Sequence, residues 1–522
     1  MADLMWKPPV ELSGTEDRIC KRLKRVGRFF AFLRKHRHRL FDEGFQRELA
    51  KMYSDRPRGT PPKPPAFLAA VTLLQAYEQK SDAAAVEEAA FDRRWQMVLD
   101  CLGFESPPFS QGVLVDFRRR LIHHELDGRL MERTLELAKE TGDFGPANLK
   151  VALDSAPLWG AARVEDTFNL IGHAMAVVVD CAAKTWGRRP AQVRRAAKLE
   201  VVGEVSPKAA LDIDWTDPEQ HQTALRRLLE DATRLREWVE KALPSEQEQP
   251  PLKEALDLLA RVIDQDIEPD PDNGGSRIRD GVANQRRITI RDSDMRHGRK
   301  SKSRVINGFK RHIARDMNSG LILSVTARPA NEAEYAAMED LRPEIERHGK
   351  VKELHIDRGY LAGAWASELH TAGKKVVSRP WRVPNGGRFT KEDFRFDFEN
   401  GVVTCPAGAQ ADLTSKTAAF PREACRACRL RTKCVKAEGE PRRLSLHRLE
   451  PLLVELRQAG RTSAGRARLR KRVTVEHGLA HLCRRQGPRA RYLGTRKNVF
   501  DLRRTAAVEN LHRLDYFERR AA

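Results

Sequence analysis

The stretch ELHIDRGYL, residues 353–361, carries an apolar, strand-like run into Asp357 and then turns away at Arg-Gly-Tyr. An aspartate in this position is most often a turn former whose side chain accepts hydrogen bonds from the following amides. Alternatively, it is a metal-binding carboxylate at the carboxyl end of a central strand, where Gly359 lets the chain leave without covering it. The second interpretation requires partners of the same kind elsewhere in the chain.

A second acid follows the same pattern in NLKVALDSAPLWG, residues 148–160. Alternating apolar residues lead into Asp154, which predicts a short buried strand that ends on an acid. The segments NGFKRHIARD and GLILSVTARP flank Met-Asn-Ser-Gly and predict a β-hairpin. With the strand before Asp357 and the strand KKVVSRP, residues 374–380, they predict an α/β (α+β) protein with a mixed five-stranded sheet.

The composition is that of a basic protein with hydrophobic cores. Hydrophobic residues make up 40% of the 522 positions, charged residues 32%, and the formal net charge is +22. Such a charge favours a polyanionic partner, nucleic acid before an anionic membrane surface. No apolar run is long enough to span a bilayer, and the amino terminus lacks a signal-peptide pattern, so we expect a cytoplasmic protein. The basic segments also lack the strong apolar companion face of a membrane-surface protein.

Changes of pattern along the chain predict five parts. Residues 1–140 are mostly helical, which is typical either of a helix-turn-helix-like DNA-binding module or of a generic helical bundle. Within them, the proline-rich run at 56–65 is expected to be a stiff connector. The predicted parts are a helical amino-terminal domain (1–140), a sheet-forming core (148–180 and 285–395), a helical insertion (181–284), a cysteine-rich insertion (396–440) and a basic helical part (441–522).

Eight cysteines in a cytoplasmic protein are expected to be reduced thiols or metal ligands. Four of them follow the spacing C-x19-C-x2-C-x5-C, at Cys405, Cys425, Cys428 and Cys434. A Cys-x2-Cys pair can present two thiolates to one ion, and four such ligands suit tetrahedral Zn²⁺. The spacing therefore indicates either a structural zinc knuckle or four reduced thiols in a loop-rich insertion.

The candidate for a third carboxylate is Glu476, in the basic segment RKRVTVEHGLAHLCRR. Taken alone, a glutamate among arginines and lysines is explained by surface salt bridges. Taken with Asp154 and Asp357, it completes a set of oxygen ligands that is sufficient for Mg²⁺, which keeps several waters.

The order and spacing of four blocks resemble those of bacterial insertion-sequence transposases of the DDE type, in the RNase H-like (retroviral-integrase) superfamily. The blocks are VALDSAPLWGAARVEDTFNLIGHA, HGRKSKSRVINGFKRHIARD, IDRGYL and RVTVEHGLAHL. The resemblance covers nearly the whole chain. It implies an RNase H-like catalytic core in which Asp154, Asp357 and Glu476 are catalytic and hold two Mg²⁺ or Mn²⁺ ions. Ser155, beside the first acid, is expected to be only a turn hydroxyl.

Related transposases often carry Tyr-x2-Arg-x3-Glu-x6-Lys around the glutamate. Here Arg472 stands in the arginine position, whereas Leu469 replaces the tyrosine and Cys483 replaces the lysine. Arg484, one residue later, is the candidate for the phosphate-binding role of that lysine. The pattern around Glu476 is therefore only partly that of the family.

The resemblance implies a DNA transposase that binds the ends of an insertion sequence and catalyses Mg-dependent strand cleavage and strand transfer. The implied partners are double-stranded DNA (terminal inverted repeats and target DNA) and a second copy of the chain, at the bacterial nucleoid. The alternatives are a catalytically inactive or domesticated sequence-specific DNA-binding protein and a related metal-dependent nuclease. The basic residues expected to bind DNA are Arg118, Arg119, Arg120, Lys310, Arg311, His312, Arg358, Arg472, Arg484 and Arg485.

Overall fold

The amino-terminal part of the chain is helical in the computed structural model. The structure describes residues 4–24, 27–53, 61–145, 148–203, 206–271, 274–299, 303–414, 416–437 and 439–521. The connector expected at 56–65 lies outside the described residues as far as position 60. The helices are α1 (Gly14–Arg22), α2 (Arg28–Leu40), α3 (Glu43–Ala50), α4 (Pro65–Glu78), α5 (Asp82–Phe91), α6 (Arg93–Leu99), α7 (Gln111–His123) and α8 (Arg129–Glu140).

Local signals explain where several of these helices begin. Pro65 opens α4, where a missing amide hydrogen costs nothing. Ser81 precedes α5, and its hydroxyl accepts a hydrogen bond from the amide of Ala84 at 3.0 Å. Ser81 is therefore the N-cap of α5, as expected for a serine directly before a helix.

The first strand and a helical insertion follow. Helix α9 crosses position 180, where the sequence pattern placed the start of the insertion, and its buried face belongs to the insertion's own hydrophobic cluster. Helix α9 belongs to the insertion because one continuous apolar stripe runs along the helix and packs on α12 and α13. The elements are β1 (Leu149–Trp159), α9 (Thr167–Trp186), α10 (Pro190–Ala196), α11 (Pro207–Leu211), α12 (Pro218–Ala242), α13 (Leu252–Asp266), β2 (Ile267–Pro269) and β3 (Ser276–Ile278).

The chain then returns to complete a mixed sheet. Its remaining elements are β4 (Arg296–Arg299), β5 (Val305–Asp316), β6 (Ile322–Pro329), α14 (Met338–Glu346), β7 (Val351–His355), α15 (Ala364–Thr371) and β8 (Lys375–Val377). The strand order is β6-β5-β1-β7-β8, and the short β4 lies beside the beginning of β5 on the edge that also holds β6. Strand β5 runs antiparallel to β1 and β6, whereas β7 and β8 run parallel to β1. The predicted five-stranded mixed sheet and its β5–β6 hairpin are confirmed, and β4 is an addition.

The prediction that the first strand ends at Asp154 is wrong. Strand β1 continues to Trp159, because β5 pairs with it along the whole stretch from Val151 to Trp159. The other neighbour, β7, pairs only with residues 149–152. Asp154 therefore lies in mid-strand, at the point where one neighbouring strand has ended and one edge of β1 is open.

The cysteine-rich part forms small sheets around a separate core. Its elements are β9 (Arg395–Asp397), β10 (Val402–Thr404), β11 (Gln410–Asp412), β12 (Thr417–Ala419), α16 (Arg422–Arg426) and β13 (Arg443–Ser445). Strands β9 to β11 form one antiparallel sheet, and β12 pairs with β13. The core consists of Phe394, Val403, Ala411, Ala418, Phe420 and Leu444.

Four helices close the chain and join its parts. They are α17 (Glu450–Arg461), α18 (Ser463–Arg470), α19 (Val473–Gln486) and α20 (Thr495–Ala521). Helix α19 packs on β1, and α20 packs on β6, α4 and α8, so one hydrophobic core joins the amino-terminal helices to the sheet. The side chain of Asn510 in α20 forms two hydrogen bonds with the backbone of Ile322 in the edge strand β6. These bonds occupy backbone groups that the edge of the sheet would otherwise leave unpaired. Within the part of the chain that the structure describes, no helix has the length and apolar character to cross a membrane.

Candidate active site

Asp154 and Asp357 lie on neighbouring strands. Ala152 of β1 pairs with His355 of β7 in parallel register, and each aspartate comes two residues later. Because side chains alternate with a period of two along a strand, the two carboxyl groups project from the same face. The tertiary structure thus brings together two acids that are about 200 residues apart in sequence.

The two aspartates differ in their surroundings. The Asp154 side chain is 15% exposed, and its Oδ1 accepts a hydrogen bond from the Ser155 amide at 3.0 Å. The Asp357 side chain is 55% exposed, and its Oδ1 accepts a hydrogen bond from the Arg358 amide at 2.8 Å, at the start of a 3-10 turn over Arg358–Tyr360. Asp357 is therefore a turn former, and the same Oδ1 atom also lies 3.4 Å from a guanidinium nitrogen of Arg472.

Glu476 reaches the same place from a helix. It lies in the first turn of α19, whose buried side packs on β1, and its side chain is 52% exposed. A negative charge in a first turn is favoured by the helix dipole. The third predicted acid therefore has a local reason for its position that is independent of any ligand.

Arg472 connects all three acids. Its guanidinium nitrogens lie 3.2 Å from an oxygen of Asp154, 3.4 Å from one of Asp357 and 3.8 Å from one of Glu476. Only 15% of its side chain is exposed. The structure thus brings the three predicted acids around one cation.

Burial and charge act in opposite directions on Asp154. Burial raises the pKa of its carboxyl, Arg472 and the Ser155 amide lower it, and the negative charges of Glu476 and Asp357 raise it further. The result is a pKa above the ordinary value. A divalent cation bound at these carboxylates would lower the pKa of Asp154, because it favours the charged form of the carboxyl.

The donor set fits Mg²⁺ or Mn²⁺, since carboxylate oxygens are the ligands that these hard ions prefer. In the described residues the oxygens of the three acids are not all within 4.8 Å of one another, because Arg472 lies among them. One group of described residues does meet that distance, Glu78, Glu88 and Asp92. Each of its three acids already has a cationic partner, because Lys80 pairs with Glu88 and Arg94 pairs with Glu78 and Asp92.

A cavity of about 420 Å³ opens beside the two aspartates. Two of the predicted DNA-binding residues, Lys310 and Arg358, line it together with Ser155, Glu334 and Trp381. The Lys310 ammonium donates to the Glu332 carbonyl at 2.8 Å, and burial lowers the pKa of this lysine. Cations thus lie next to the acidic site.

Other predicted DNA-binding residues point inward. Arg311 is buried and donates to the side chain of Gln486 and to the carbonyls of Gly487 and Pro157, all within 2.9 Å. His312 is buried, and its Nδ1 lies 2.6 Å from the hydroxyl of Tyr360. Both side chains are buried and bind groups inside the protein.

Some of the predicted DNA-binding arginines on helices contact other side chains of the protein, and others are exposed. Arg118 pairs with Asp82, Arg120 lies over the ring of Tyr53, and Arg485 pairs with Glu509. By contrast, Arg119 and Arg484 are exposed, although Arg119 also pairs with Asp116. That these five bind DNA remains a prediction.

Sequence reasoning missed Glu334. Its Oε1 accepts a hydrogen bond from the Ser155 hydroxyl at 2.5 Å, so Ser155 is a strand residue with a fixed partner and not a turn hydroxyl. Glu334 follows β6 in a segment that also contains Glu332 and Glu339. Nothing in the sequence distinguishes it from these neighbours, because the contact depends on β1 extending past Asp154.

The four cysteines of the predicted knuckle lie in one region. Cys405, Cys425 and Cys434 pack against the small core of the cysteine-rich part, and the amide of Leu430 donates to Sγ of Cys428 at 3.4 Å. Burial raises the pKa of the Cys434 thiol, Arg442 lowers it, and the other three cysteines raise it further. All eight cysteines of the chain are free thiols.

Two family models match the chain. Residues 279–511 match a model described as "Transposase DDE domain", and residues 22–120 match one described as "Transposase domain (DUF772)". The first match contains Asp357 and Glu476, and the second lies within the amino-terminal helices. Neither the curated proteins nor the solved structures contain a match to the chain.

Proposed function

With these two transposase domains the chain belongs to the insertion-sequence transposases of the DDE type, and we propose that it binds the ends of an insertion sequence and cleaves and joins DNA there. The observation that carries the proposal is the convergence of Asp154, Asp357 and Glu476 on the guanidinium of Arg472. Three carboxylates from three separate elements have no evident structural need to meet at one surface. A site for divalent cations explains why they do.

We propose that the sheet is an RNase H-like core. The strand order β6-β5-β1-β7-β8, with only β5 antiparallel to the strand that carries the first acid, supports this proposal. In open sheets of this kind, functional groups collect where parallel strands end. Asp357 follows the end of β7, and Asp154 lies beside it on β1.

The reaction is an in-line displacement at a DNA phosphorus, in which water or a freed 3′-hydroxyl attacks and the 3′-oxygen leaves. Asp154, Asp357 and Glu476 would hold two Mg²⁺ or Mn²⁺ ions, which when bound stabilise the entering and leaving oxygens. Arg472, once it is released from the three carboxylates, can pair with the phosphate being cut. Lys310 and Arg358 are placed to hold a neighbouring phosphate in the adjacent cavity.

The proposed partner is double-stranded DNA, as terminal inverted repeats and as target. A net charge of +22 supports an electrostatic contribution to this binding, with the strong salt dependence that counterion release produces. Two element ends must be brought together for joining, so we propose a homodimer on DNA. In the cell the protein would then lie in the cytoplasm, on the nucleoid.

The test is cleavage of a plasmid that carries the DNA ends flanking the gene. Wild type should cut at the ends with Mg²⁺, and Asp357→Ala should lower the rate by about 1,000-fold or more while still binding the ends. Asp280→Ala is the matched control, because this acid is 95% exposed in the insertion. If wild type binds the ends without cutting, the protein is a DNA-binding protein only; if it cuts without joining, it is a nuclease.

We also propose that Cys405, Cys425, Cys428 and Cys434 hold a structural Zn²⁺ ion. No three of these sulfur atoms lie mutually within 4.8 Å in the described residues, so binding draws them closer together. The reason to expect it is the size of the local core, since only six buried apolar residues support the five short strands β9 to β13 in the described part of this region. A part with so little hydrophobic core commonly depends on a metal ion for stability.

A further inference from the structure

Glu334 contacts the chain next to both proposed catalytic aspartates. It is half-buried and begins a 3-10 turn, Glu334–Ala337, shortly after β6. Its Oε1 accepts the hydrogen bond of Ser155, the residue that directly follows Asp154. This bond ties the turn to the middle of β1.

The second oxygen of Glu334 touches the other aspartate's turn. A methyl group added at Gly359, two residues after Asp357, would come within 1.9 Å of Oε2 of Glu334. The Glu334 side chain therefore lies directly against Gly359, and it would have to shift to admit a larger residue there. The contact holds the turn after Asp357 against the same carboxylate that binds Ser155.

A buried polar pair lies behind this contact. The hydroxyl of Tyr360, the residue after Gly359, bonds to Nδ1 of His312, and both side chains are buried. Burial raises the pKa of Tyr360 well above its ordinary value, with Glu334 and Asp154 raising it further and a hydrogen bond with Ser155 opposing them. The phenol is therefore neutral and fixed, which leaves the turn little freedom to move.

Asp357 needs such support more than Asp154 does. Strand β1 pairs with β5 both before and after Asp154 along the chain, which holds this residue in place. Asp357, by contrast, lies past the end of β7, and its side chain is half exposed. Metal sites depend on ligands that are held to within about 0.5 Å by surrounding groups. Ser155, Glu334 and Gly359 form the contact that links the two positions.

We propose that Glu334 is a positioning residue that sets the distance between the carboxyl groups of Asp154 and Asp357. The inference rests on the proposed function of these aspartates as metal ligands. The first carboxylate oxygen of Glu334 accepts a hydrogen bond from Ser155, and the second packs against Gly359. The positioning role therefore depends on the shape of the Glu334 side chain more than on its charge. Glutamine keeps both the acceptor and the shape.

The test measures metal binding, not only activity. The dissociation constant of Mn²⁺ is determined from the free-ion signal in electron paramagnetic resonance, for wild type and for variants at Glu334. Glu334→Ala should weaken binding by about 10-fold to 100-fold, the usual effect of losing a supporting group, and Glu334→Gln should stay within about threefold of wild type. Glu339→Ala, which removes an acid that is 81% exposed one turn later, is the control expected to match wild type.

Wild-type affinity in Glu334→Ala would overturn the inference, and so would equal losses in the alanine and glutamine variants, because the charge would then matter more than the shape. A second measurement does not depend on metal. Gly359→Ala should lower the free energy of unfolding when Glu334 is present and cost clearly less when Glu334 is alanine. Additive effects in this double-mutant cycle would contradict the contact.

DNA cleavage by the same variants separates the two proposals. If wild type binds Mn²⁺ and the Glu334 variants behave as expected, but no protein cuts DNA, the transposase activity fails and the positioning role stands. If wild type cuts DNA and Glu334→Ala binds Mn²⁺ and cuts as well as wild type, the positioning role alone fails.

Discussion

A guanidinium nitrogen of Arg472 lies 3.2 Å from Oδ1 of Asp154, although the two residues are more than 300 positions apart in sequence. The same guanidinium is within 3.8 Å of Asp357 and Glu476. An arginine in this position neutralises the repulsion among three carboxylates, and it also competes with any divalent cation for them. Arg472 therefore offsets the repulsion among the three carboxylates, and a metal ion that binds them as proposed would have to compete with it.

The first prediction concerns this competition. Without DNA, Arg472→Ala should bind Mn²⁺ about tenfold more tightly than wild type, because a cation in contact with the ligands has been removed. DNA cleavage should nevertheless fall, because the arginine is then absent from the scissile phosphate. Arg470→Ala, an exposed residue of the same segment, serves as the control. Weaker Mn²⁺ binding in Arg472→Ala would show that the arginine supports the ligands instead of competing for them.

The second prediction separates structural from DNA-binding arginines. Arg311→Ala should lower the free energy of unfolding by about 2–4 kcal/mol, because a buried side chain and its three hydrogen bonds to Gln486, Gly487 and Pro157 are lost. Denaturation in guanidinium chloride measures the change. Arg119→Ala, with a side chain that is 75% exposed, should change stability by less than about 0.5 kcal/mol. A similar result for both variants would mean that the buried bonds contribute little.

The third prediction concerns the surface of α19. Arg484 is exposed, and we expect Arg484→Ala to weaken DNA binding and to reduce the slope of log K against log salt by about one unit. Fluorescence anisotropy across a salt series gives both quantities. Arg226→Ala, on the insertion and 70% exposed, should leave both unchanged. An unchanged slope in Arg484→Ala would remove this residue from the DNA-binding surface.

The fourth prediction tests the zinc proposal. Wild type purified without chelators should contain about one zinc ion per chain, and Cys428→Ser should lose it, because thiolates are the expected ligands. Metal content is measured by mass spectrometry of the intact protein and by elemental analysis. Cys181→Ser, which changes an isolated thiol, should retain the ion. Wild type without zinc, or a Cys428→Ser variant that keeps it, would contradict the proposal.

The fifth prediction concerns acid stability. Burial lowers the pKa of His312 to about 3, and it lowers those of His348 and His512 to about 4 and about 3. In the unfolded chain these groups take up protons near pH 6.5, so between that pH and the folded values the unfolded state binds more protons. The free energy of unfolding should therefore fall as the pH falls below 6.5, by about 1.4 kcal/mol per pH unit for each histidine.

His312→Asn tests the contribution of this residue. The variant has one group fewer that takes up a proton on unfolding, so its stability should decrease less steeply between pH 6 and 4. Chemical denaturation at several pH values measures the slope. His477→Asn, on the exposed face of α19, should keep the wild-type slope. Identical slopes in wild type and His312→Asn would mean that the histidine is already protonated in the fold.

Much of the fold could be predicted from local signals. The hairpin of β5 and β6, the cap at Ser81 and the mixed sheet follow from turn residues and from the period of apolar residues, and these depend on neighbours in sequence. The sequence also placed acids at Asp154 and Asp357 beside predicted strands. Such signals act within a few residues, and for that reason they can be recognised without a structure.

The sequence by itself determined the basic charge, the order of the elements and the identity of the acids and cysteines. Only the tertiary structure decided that β1 continues past Asp154, that Arg472 stands among three carboxylates, and that Glu334 contacts the chain beside both aspartates, at Ser155 and Gly359. It also turned Arg311 and His312 inward. These features depend on pairing between segments that are far apart in the chain, and no local pattern of residues encodes which side chains such pairing will bring together.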